Sequence, residues 1–356
     1  MPVLNGAMAA GAEVTDLSVL LLYNLDPAWL VHEIEEAFRD LQCLVSALEG
    51  QGHPVALVPI YDADLVTPLH DYDPQDYIVL NWCEEVPGLP RSSPLPAKAL
   101  EALNFTYTGS PPGVLALSED KRQVKEILAH YDVPTPRWRV YEPGEATALT
   151  ALDDWDRFPA IVKPALEHCS FGITPQSVVT TPGELRQRLS YVFDTFHQPA
   201  LVEDYIAGRE FHVGLWGNGT VEMLPPVEID FSKFSDVHEQ ICSYDFKFNP
   251  GSIYFKEIDL MLADLSQAEV DLLEQSSLAA YRAVGCRDYA RLDVRLQDGI
   301  FHVIDVNPNA CLDAHSSLGY AARLAGYSYG ALGSRLVRLA AARHPILGNT
   351  DSTLQT

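Results

Sequence analysis

The 356-residue sequence predicts an α/β protein whose N-terminal sheet is mostly parallel. Short apolar runs of strand length alternate with longer amphipathic runs of helical length, an order typical of strands joined by helical crossovers. Apolar residues make up 47% of the chain. That share is enough to form the cores of two or three compact units.

The first elements follow this alternation closely. The sequence predicts a strand at residues 17–23, an amphipathic helix at 28–51, and further strands at 54–60 and 76–81. Each strand prediction rests on a short apolar run, and the helix prediction rests on helical periodicity.

A second unit is predicted to begin near Gly113. A helical stretch follows residues 118–120 and ends before Val133-Pro134-Thr135-Pro136, because that segment cannot continue a helix. Two short apolar strands at 160–162 and 200–202 then flank a helix-like stretch at 182–196. A third unit follows from about residue 208, and it closes with a helix from residue 330.

Charge and composition exclude several classes of function. The formal net charge of −25 at pH 7 argues against binding a nucleic-acid backbone, since a polyanion would be repelled. The longest apolar runs are far shorter than the roughly 20 residues of a membrane span, and no basic segment follows Met1 as in a signal peptide. The six cysteines form no CxxC pair and indicate free thiols. We therefore expect a cytoplasmic protein without membrane or nucleic-acid partners.

The strongest chemical signal lies in residues 289–309, which predict two antiparallel strands joined at Asp298-Gly299. Because side chains alternate along a strand, the polar residues share one face of each strand, opposite the apolar ones. These polar residues are Arg291, Asp293 and Arg295 on the first strand, and Asp305 and Asn307 on the second.

The pairing of these strands decides whether the acids meet. Opposed residues point to the same side of a sheet, so Asp293 meets Asp305 only in a register whose paired numbers have an even sum. A strict two-residue turn at residues 298–299 would give odd sums and separate the two acids. We therefore predict a longer or bulged turn.

Two carboxylates and an amide oxygen without His or Cys suit Mg²⁺, with Mn²⁺ as the alternative ion. The predicted ligands are Asp293, Asp305 and Asn307, and Arg291 beside them would neutralise a transferring phosphoryl group. The alternative is a strand that ends in an Asx-Pro turn, with Arg291 and Asp293 as a surface ion pair.

Further segments resemble the D-alanine–D-alanine ligase branch of the ATP-grasp superfamily, over about residues 104–328. Nine pieces occur in the family's order: Phe105-Thr-Tyr-Thr-Gly-Ser, Asp120-Lys121, Pro134-Thr-Pro, Val162-Lys163-Pro164, residues 167–173, residues 202–211, Tyr244-Asp245 with Lys247, Arg291-Leu-Asp293 and Asp305-Val-Asn307. The first hundred residues match only in general α/β character.

The resemblance implies a three-domain ATP-grasp fold. The expected parts are an N-terminal α/β domain at residues 1–112, a small central α+β domain at 113–207, and a C-terminal α+β domain with an antiparallel sheet at 208–345. Residues 346–356 are expected to form a disordered tail.

The resemblance also implies the nucleotide site. Lys121 and Lys163 are expected to contact the phosphates, although either lysine taken alone could be an ordinary snorkelling side chain. The segment between two domains, expected at the adenine ring, contains Glu203, Asp204, Tyr205 and Ile206. The expected ribose contact is Glu210. Two loops expected to close over the phosphates contain Glu167 and Ser170 on one and Lys247 on the other. His315 and Ser316 are retained in the segment that contacts the second substrate.

The implied reaction has two steps. A carboxylate attacks the γ-phosphate of ATP to give an acyl phosphate, and an amine then displaces phosphate to form an amide. The implied partners are a small carboxylate, an amine and, because relatives form one, a second copy of the chain. Two rival functions are D-alanine–D-alanine ligase itself and a nucleotide-binding protein that has lost catalysis.

Departures from the family concern the amino-acid site. His168 and Cys169 replace a glycine and a serine, Phe248 replaces a tyrosine, and Cys311 replaces a glycine. Losing hydroxyls that orient a substrate costs roughly 1–3 kcal/mol for each buried group left unpaired. We therefore expect the acid to be a small amino acid or related acid other than D-alanine.

Overall fold

The computed structural model describes residues 17–143 and 155–350 and contains three sheets in succession along the chain. The first sheet contains β1 (Ser18–Asn24), β2 (Val55–Ile60), β3 (Tyr77–Trp82) and β4 (Thr106–Tyr107). Its strands are parallel, in the order β2-β1-β3-β4. The helices of this part are α1 (Val31–Glu49), α2 (Pro94–Ala102), α3 (Pro112–Ser118) and α4 (Lys121–His130).

Strand β1 is buried on both faces. Val19 and Leu21 pack into one core with Leu44 of α1, whereas Leu20 and Leu22 pack into a second core on the opposite face. A strand that is covered on both faces has a continuous apolar sequence, which is why residues 17–23 form an uninterrupted apolar run.

The second sheet is small and antiparallel. It contains β5 (Trp138–Tyr141), β6 (Ala160–Pro164), β7 (Val178–Val179) and β8 (Ala200–Asp204), in the order β5-β8-β6-β7. Helix α5 (Pro182–Phe196) covers one face through Leu185, Leu189 and Val192. Its N-cap, Thr181, accepts a hydrogen bond from the Glu184 amide at 3.2 Å.

The third sheet has six strands in the order β12-β11-β9-β13-β14, with β10 paired to β9. They are β9 (Arg209–Asn218), β10 (Thr220–Met223), β11 (Val227–Asp230), β12 (Asp259–Leu262), β13 (Asp288–Gln297) and β14 (Ile300–Asn307). The helices of this part are α6 (Tyr244–Phe248), α7 (Ile253–Glu257), α8 (Gln267–Val284), α9 (Ser317–Leu324) and α10 (Tyr329–Ala341).

The hairpin of β13 and β14 pairs Asp293 with Asp305, as the sequence predicts. The prediction of a longer or bulged turn is wrong, since residues 298–299 form a tight two-residue turn. The register shifts instead within the strands, between Asp293 and Val294, and places Ile304 outside the ladder. One extra residue converts the odd register at the turn into the even register at the acids.

The domain boundaries at residues 112 and 207 stay a prediction. Of the expected tail, residues 346–350 are described and include a 3₁₀ turn at Leu347–Thr350, while residues 351–356 lie outside the described residues. Among the described helices, none has both the length and the apolar character needed to cross a membrane.

Candidate active site

The acids that the sequence predicts as metal ligands meet on adjacent strands. Asp293 lies opposite Asp305, and the Asn307 side-chain nitrogen lies 3.4 Å from Asp293 Oδ2. Arg291 donates to both oxygens of Asp293 at 2.7 and 3.1 Å, and Lys121 donates to Asp305 Oδ2 at 3.1 Å. Each carboxylate is therefore held by one cation.

Both carboxylates are ionised in this environment. Burial raises the pKa of Asp293, but Arg291 outweighs that effect and holds the pKa far below its ordinary value. Burial also raises the pKa of Asp305, but the charge of Lys121 more than offsets this and brings the pKa below its usual range. Two ionised carboxylates beside an amide oxygen form a hard donor set that fits Mg²⁺.

A buried cluster of three charges lies behind the second predicted lysine. Lys163 Nζ is 2.6 Å from Glu203 Oε2, and Lys125 Nζ is 2.5 Å from Glu203 Oε1. The Lys125 and Glu203 side chains are only 2% and 1% exposed. Burial raises the pKa of Glu203, yet the two lysines more than offset this and keep its pKa below the ordinary value.

The predicted ribose contact, Glu210, is held by an arginine. Arg295 Nε donates to Glu210 Oε2 at 2.7 Å, and Arg295 Nη1 donates to the Ile206 carbonyl at 2.9 Å. The Arg295 guanidinium also lies over the Tyr205 ring, 4.8 Å from its centroid. The arginine thus joins Glu210 to the segment between the second and third sheets.

The predicted phosphate loop follows β6. Cys169 and Ser170 both have positive φ, at 51° and 61°, a conformation that turns backbone N–H groups toward one side of a loop. Ser170 Oγ donates to the Cys242 carbonyl at 2.8 Å, and Glu167 accepts from the Gln198 side chain at 2.7 Å. The loop is thereby tied to both the second and the third sheet regions.

Lys247 lies in the short helix α6, half-buried at the same cavity. The Ser243 hydroxyl caps this helix by accepting from the Phe246 amide at 3.3 Å. The Tyr244 amide donates to the Ile173 carbonyl at 3.1 Å, and the Tyr244 ring contacts Phe171 with centroids 5.2 Å apart. The two predicted loops therefore lie against each other.

His315 and Ser316 lie just before α9, in a turn organised by Asp313. Asp313 Oδ1 accepts from the backbone amides of His315 and Ser316 at 2.6 and 2.7 Å. Cys311 Sγ donates to Asp313 Oδ2 at 2.9 Å. The Ser316 hydroxyl donates to the Asp313 carbonyl and accepts from the Gly319 amide, so it caps α9.

A single cavity of about 1030 Å³ brings together all sixteen residues that the sequence predicts. The predicted residues in its lining are Lys121, Lys163, Glu167, Ser170, Glu203, Asp204, Tyr205, Ile206, Glu210, Lys247, Arg291, Asp293, Asp305, Asn307, His315 and Ser316.

Comparison with known proteins identifies the family. The family model described as D-ala D-ala ligase C-terminus matches residues 127–338. The chain belongs to the D-alanine–D-alanine ligase family. It is therefore an ATP-dependent ligase of that type.

Two relatives show the extent of the match. An uncharacterised protein of Sinorhizobium fredii is 35% identical over 318 residues, covering 86% of this chain and 88% of its own. The D-alanine–D-alanine ligase of Desulforudis audaxviator is 32% identical over 245 residues, covering 68% of this ligase and 76% of its own length.

Solved structures confirm the three-domain ATP-grasp fold of this ligase. The D-alanine–D-alanine ligase of Bacillus anthracis complexed with ATP aligns with a TM-score of 0.69 at 20% identity, covering 91% of this chain and 97% of that one. The enzyme of Coxiella burnetii gives 0.67 at 19% identity, covering 94% and 97%.

Sequence reasoning missed three charged residues that organise the candidate site, namely Lys125, Arg295 and Asp313. Lys125 lies four residues after Lys121, on the same helical face, and that spacing was an available signal. Arg295 shares a strand face with Asp293, but its pairing with Glu210 depends on how β9 lies beside β13. Asp313 carries no motif of its own, and its role appears only in the folded turn.

Proposed function

We propose that this ligase uses ATP to activate a small carboxylic acid as an acyl phosphate and then joins it to an amine, and that the acid is not D-alanine. One observation carries the proposal. Asp293, Asp305 and Asn307 converge beside Arg291 and Lys121 at the cavity that also contains the predicted nucleotide segment.

The acids and the amide would hold one or two Mg²⁺ ions, with Mn²⁺ as the alternative. A bound divalent ion would offset charge on phosphate oxygens. Arg291 stabilises the charge that develops on the transferring group. Lys121 and Lys163, which are paired with Asp305 and Glu203, exchange a carboxylate for a phosphate when the nucleotide binds.

The remaining predicted residues position the nucleotide. Residues 203–206 bind adenine, and Glu210, kept in place by Arg295, binds the ribose hydroxyls. Glu167 and Ser170 belong to the loop over the phosphates, and Lys247 reaches the γ-phosphate from the adjoining loop. The contacts between these two loops support a single closing unit.

The rebuilt acid site supports an acid other than D-alanine. Phe248 is half exposed and offers no hydroxyl, and Cys169 offers a thiol in place of a hydroxyl. The Cys311 thiol donates to Asp313, so it is engaged within the protein. Several relatives are D-alanine–D-alanine ligases, and they favour that activity as the second candidate.

ADP release with a panel of D- and L-amino acids and amines tests the proposal. We expect turnover with an acid other than D-alanine, and a loss of about a hundredfold or more in Asp305→Asn. Asp298→Asn, in the exposed turn of the same hairpin, is the matched control and should retain full activity.

Three outcomes would contradict parts of the proposal. Turnover with D-alanine alone would make the chain a D-alanine–D-alanine ligase. ATP binding without ADP release for any acid would favour a protein that has lost catalysis. Full activity of Asp305→Asn would contradict the metal assignment. The homodimer stays a prediction, which light scattering would test.

A further inference from the structure

We propose that Glu210, His212 and Cys242 form a second metal site, which takes a thiophilic divalent ion of the Zn²⁺ class in preference to Mg²⁺. Their ligand atoms are a carboxylate oxygen, a ring nitrogen and a thiol sulfur, and all three lie within 4.8 Å of one another. The three side chains line the cavity, which gives an ion a path to them. This part of the inference does not depend on the proposed function.

The pairing of β9 with β13 brings two of these ligands to one place. Glu210 and His212 are two residues apart on β9, so their side chains point to the same face of the sheet. Strand β13 places Arg295 opposite Glu210 and Asp293 opposite His212. Cys242 reaches the same place from the segment just before α6, thirty residues after His212.

The imidazole of His212 is oriented as a metal ligand. Its Nδ1 lies 2.6 Å from Ser317 Oγ, and its Nε2 lies 4.0 Å from Cys242 Sγ and 3.9 Å from Glu210 Oε1. A tetrahedral Zn²⁺ ion with bonds of about 2.0–2.3 Å places its ligand atoms about 3.3–3.7 Å apart. Closing each of the two gaps therefore takes a movement of about 0.5 Å.

Neighbouring groups keep the required lone pairs available. Arg295 Nε donates to Glu210 Oε2 at 2.7 Å, so the other oxygen of Glu210 remains for an ion. An Nδ1–H of His212 that donates to Ser317 Oγ leaves the Nε2 lone pair for the metal. Three protein ligands leave the fourth position of a tetrahedral ion to water.

The donor set selects the ion. Thiolate and imidazole suit Zn²⁺, whereas Mg²⁺ requires oxygen ligands in an octahedral arrangement. When the ion binds, the S–H bond of Cys242 breaks, a bond between sulfur and the metal forms, and the proton passes to solvent. The thiolate and the Glu210 carboxylate then match the two positive charges of the ion.

An ion at this site excludes the nucleotide, and this second part of the inference rests on the proposed function. Glu210 is the proposed ribose ligand, and its carboxylate is engaged once the ion binds. His212 Nε2 also lies 3.6 Å from Oδ1 of Asp293, a proposed Mg²⁺ ligand. A Zn²⁺-class ion is therefore an inhibitor that competes with ATP.

Titration of the full chain with Co²⁺, in the presence of excess Mg²⁺, tests the site without turnover. A bond between Co²⁺ and a thiolate gives a charge-transfer absorption in the near ultraviolet, and Zn²⁺ added afterwards removes it by replacing Co²⁺. We expect Cys242→Ser to lose this absorption and to bind Zn²⁺ at least about tenfold more weakly. The matched control is Cys169→Ser, which removes a thiol of the same cavity outside the group of three and should keep both properties.

Ser317→Ala provides a second variant, because it keeps all three ligands and removes only the group that orients His212. We expect the Co²⁺–thiolate absorption to remain and the Zn²⁺ affinity to fall about tenfold. A general loss of structure would remove the absorption as well, and thermal melting of the metal-free variants monitors the fold.

Calorimetry with a non-hydrolysable ATP analogue measures the competition, at saturating Mg²⁺ and with free Zn²⁺ fixed by a metal buffer. With free Zn²⁺ at about ten times its dissociation constant, mutually exclusive binding lowers the apparent nucleotide affinity about tenfold. Cys242→Ser should lose this effect in the same buffer.

The two parts of the inference and the proposed function fail in different ways. No Co²⁺–thiolate absorption, or an absorption that persists in Cys242→Ser, would overturn the metal site. Zn²⁺ bound through Cys242 with no change in nucleotide affinity would overturn the competition. No binding of the ATP analogue to the Zn²⁺-free chain would contradict the proposed function, while the Co²⁺ spectrum would still decide the metal site.

Discussion

Replacing Lys125 with methionine tests how the buried cluster of Lys125, Glu203 and Lys163 supports the proposed nucleotide site. The Lys125 side chain is 2% exposed, and its ammonium contacts Glu203 at 2.5 Å and donates to Thr135 Oγ1 at 2.7 Å. Glu203 also pairs with Lys163 at 2.6 Å. Lys125→Met keeps the length of the side chain and removes its charge, so Glu203 depends on Lys163 alone.

The expected cost follows from burial. Removing one partner of a buried ion pair destabilises a protein by roughly 3–5 kcal/mol. Because Lys163 still neutralises Glu203 in the variant, we expect the lower end, about 3 kcal/mol. Under the proposed function, the substitution also weakens ATP binding, and this effect is separate from the loss of stability. Lys163 must leave Glu203 to bind a phosphate, and without Lys125 that exchange would leave a buried carboxylate uncompensated.

Urea unfolding and calorimetry with an ATP analogue measure the two effects. We expect a lower free energy of unfolding and about tenfold weaker nucleotide binding, where tenfold equals 1.4 kcal/mol. The double variant Lys125→Met with Glu203→Gln should recover much of the stability, since no charge is then unpaired. Lys98→Met, on the exposed face of α2, is the control. Unchanged stability and nucleotide affinity in Lys125→Met would refute the reasoning.

Three further predictions concern the framework. Gly330→Ala places a Cβ 2.3 Å from a backbone oxygen of α1 and should cost about 1–3 kcal/mol in urea unfolding, whereas Gly113→Ala meets no atom within 4 Å and should be neutral or slightly stabilising. Burial lowers the pKa of His53 below 6.5 in the folded protein. The unfolded state therefore binds more protons as the pH falls, and the free energy of unfolding decreases on acidification. His53→Gln should reduce this dependence of the free energy of unfolding on pH, measured by denaturation at several pH values. Asp288→Asn keeps a residue that tolerates positive φ but loses its charge-assisted bonds to Arg343, so the melting temperature should fall by the equivalent of about 1.5–3 kcal/mol.

The parts of the fold that local patterns encode were predictable. The parallel strands at residues 18–24, 55–60 and 77–82 lie within a residue or two of the predicted runs, because burial on both faces gives continuous apolar segments. The meeting of Asp293 and Asp305 was also predictable, since strand alternation and face matching fix it. The position of the bulge was not, because Ile304 is an ordinary strand residue in sequence.

The charge partners of the cavity lay beyond local patterns. Lys125 of α4 meets Glu203 of β8, and Arg295 of β13 meets Glu210 of β9, only after these distant elements pack together. In the sequence, Asp313 is only a substitution within a motif. Its hydrogen bonds from two turn amides depend on the backbone path before α9. Motifs therefore located the site, while tertiary packing determined which charges within it were already satisfied.

That division bears on how a chain of net charge −25 could hold the proposed triphosphate site. At physiological ionic strength, exposed charges are screened beyond about 8 Å, so the global charge acts weakly inside a cavity. Lys121, Lys163 and Arg291 are instead held in the cavity by their own carboxylates before any nucleotide arrives. Their desolvation is thereby offset in the free protein. Under the proposed function, nucleotide binding is an exchange of one anionic partner for another.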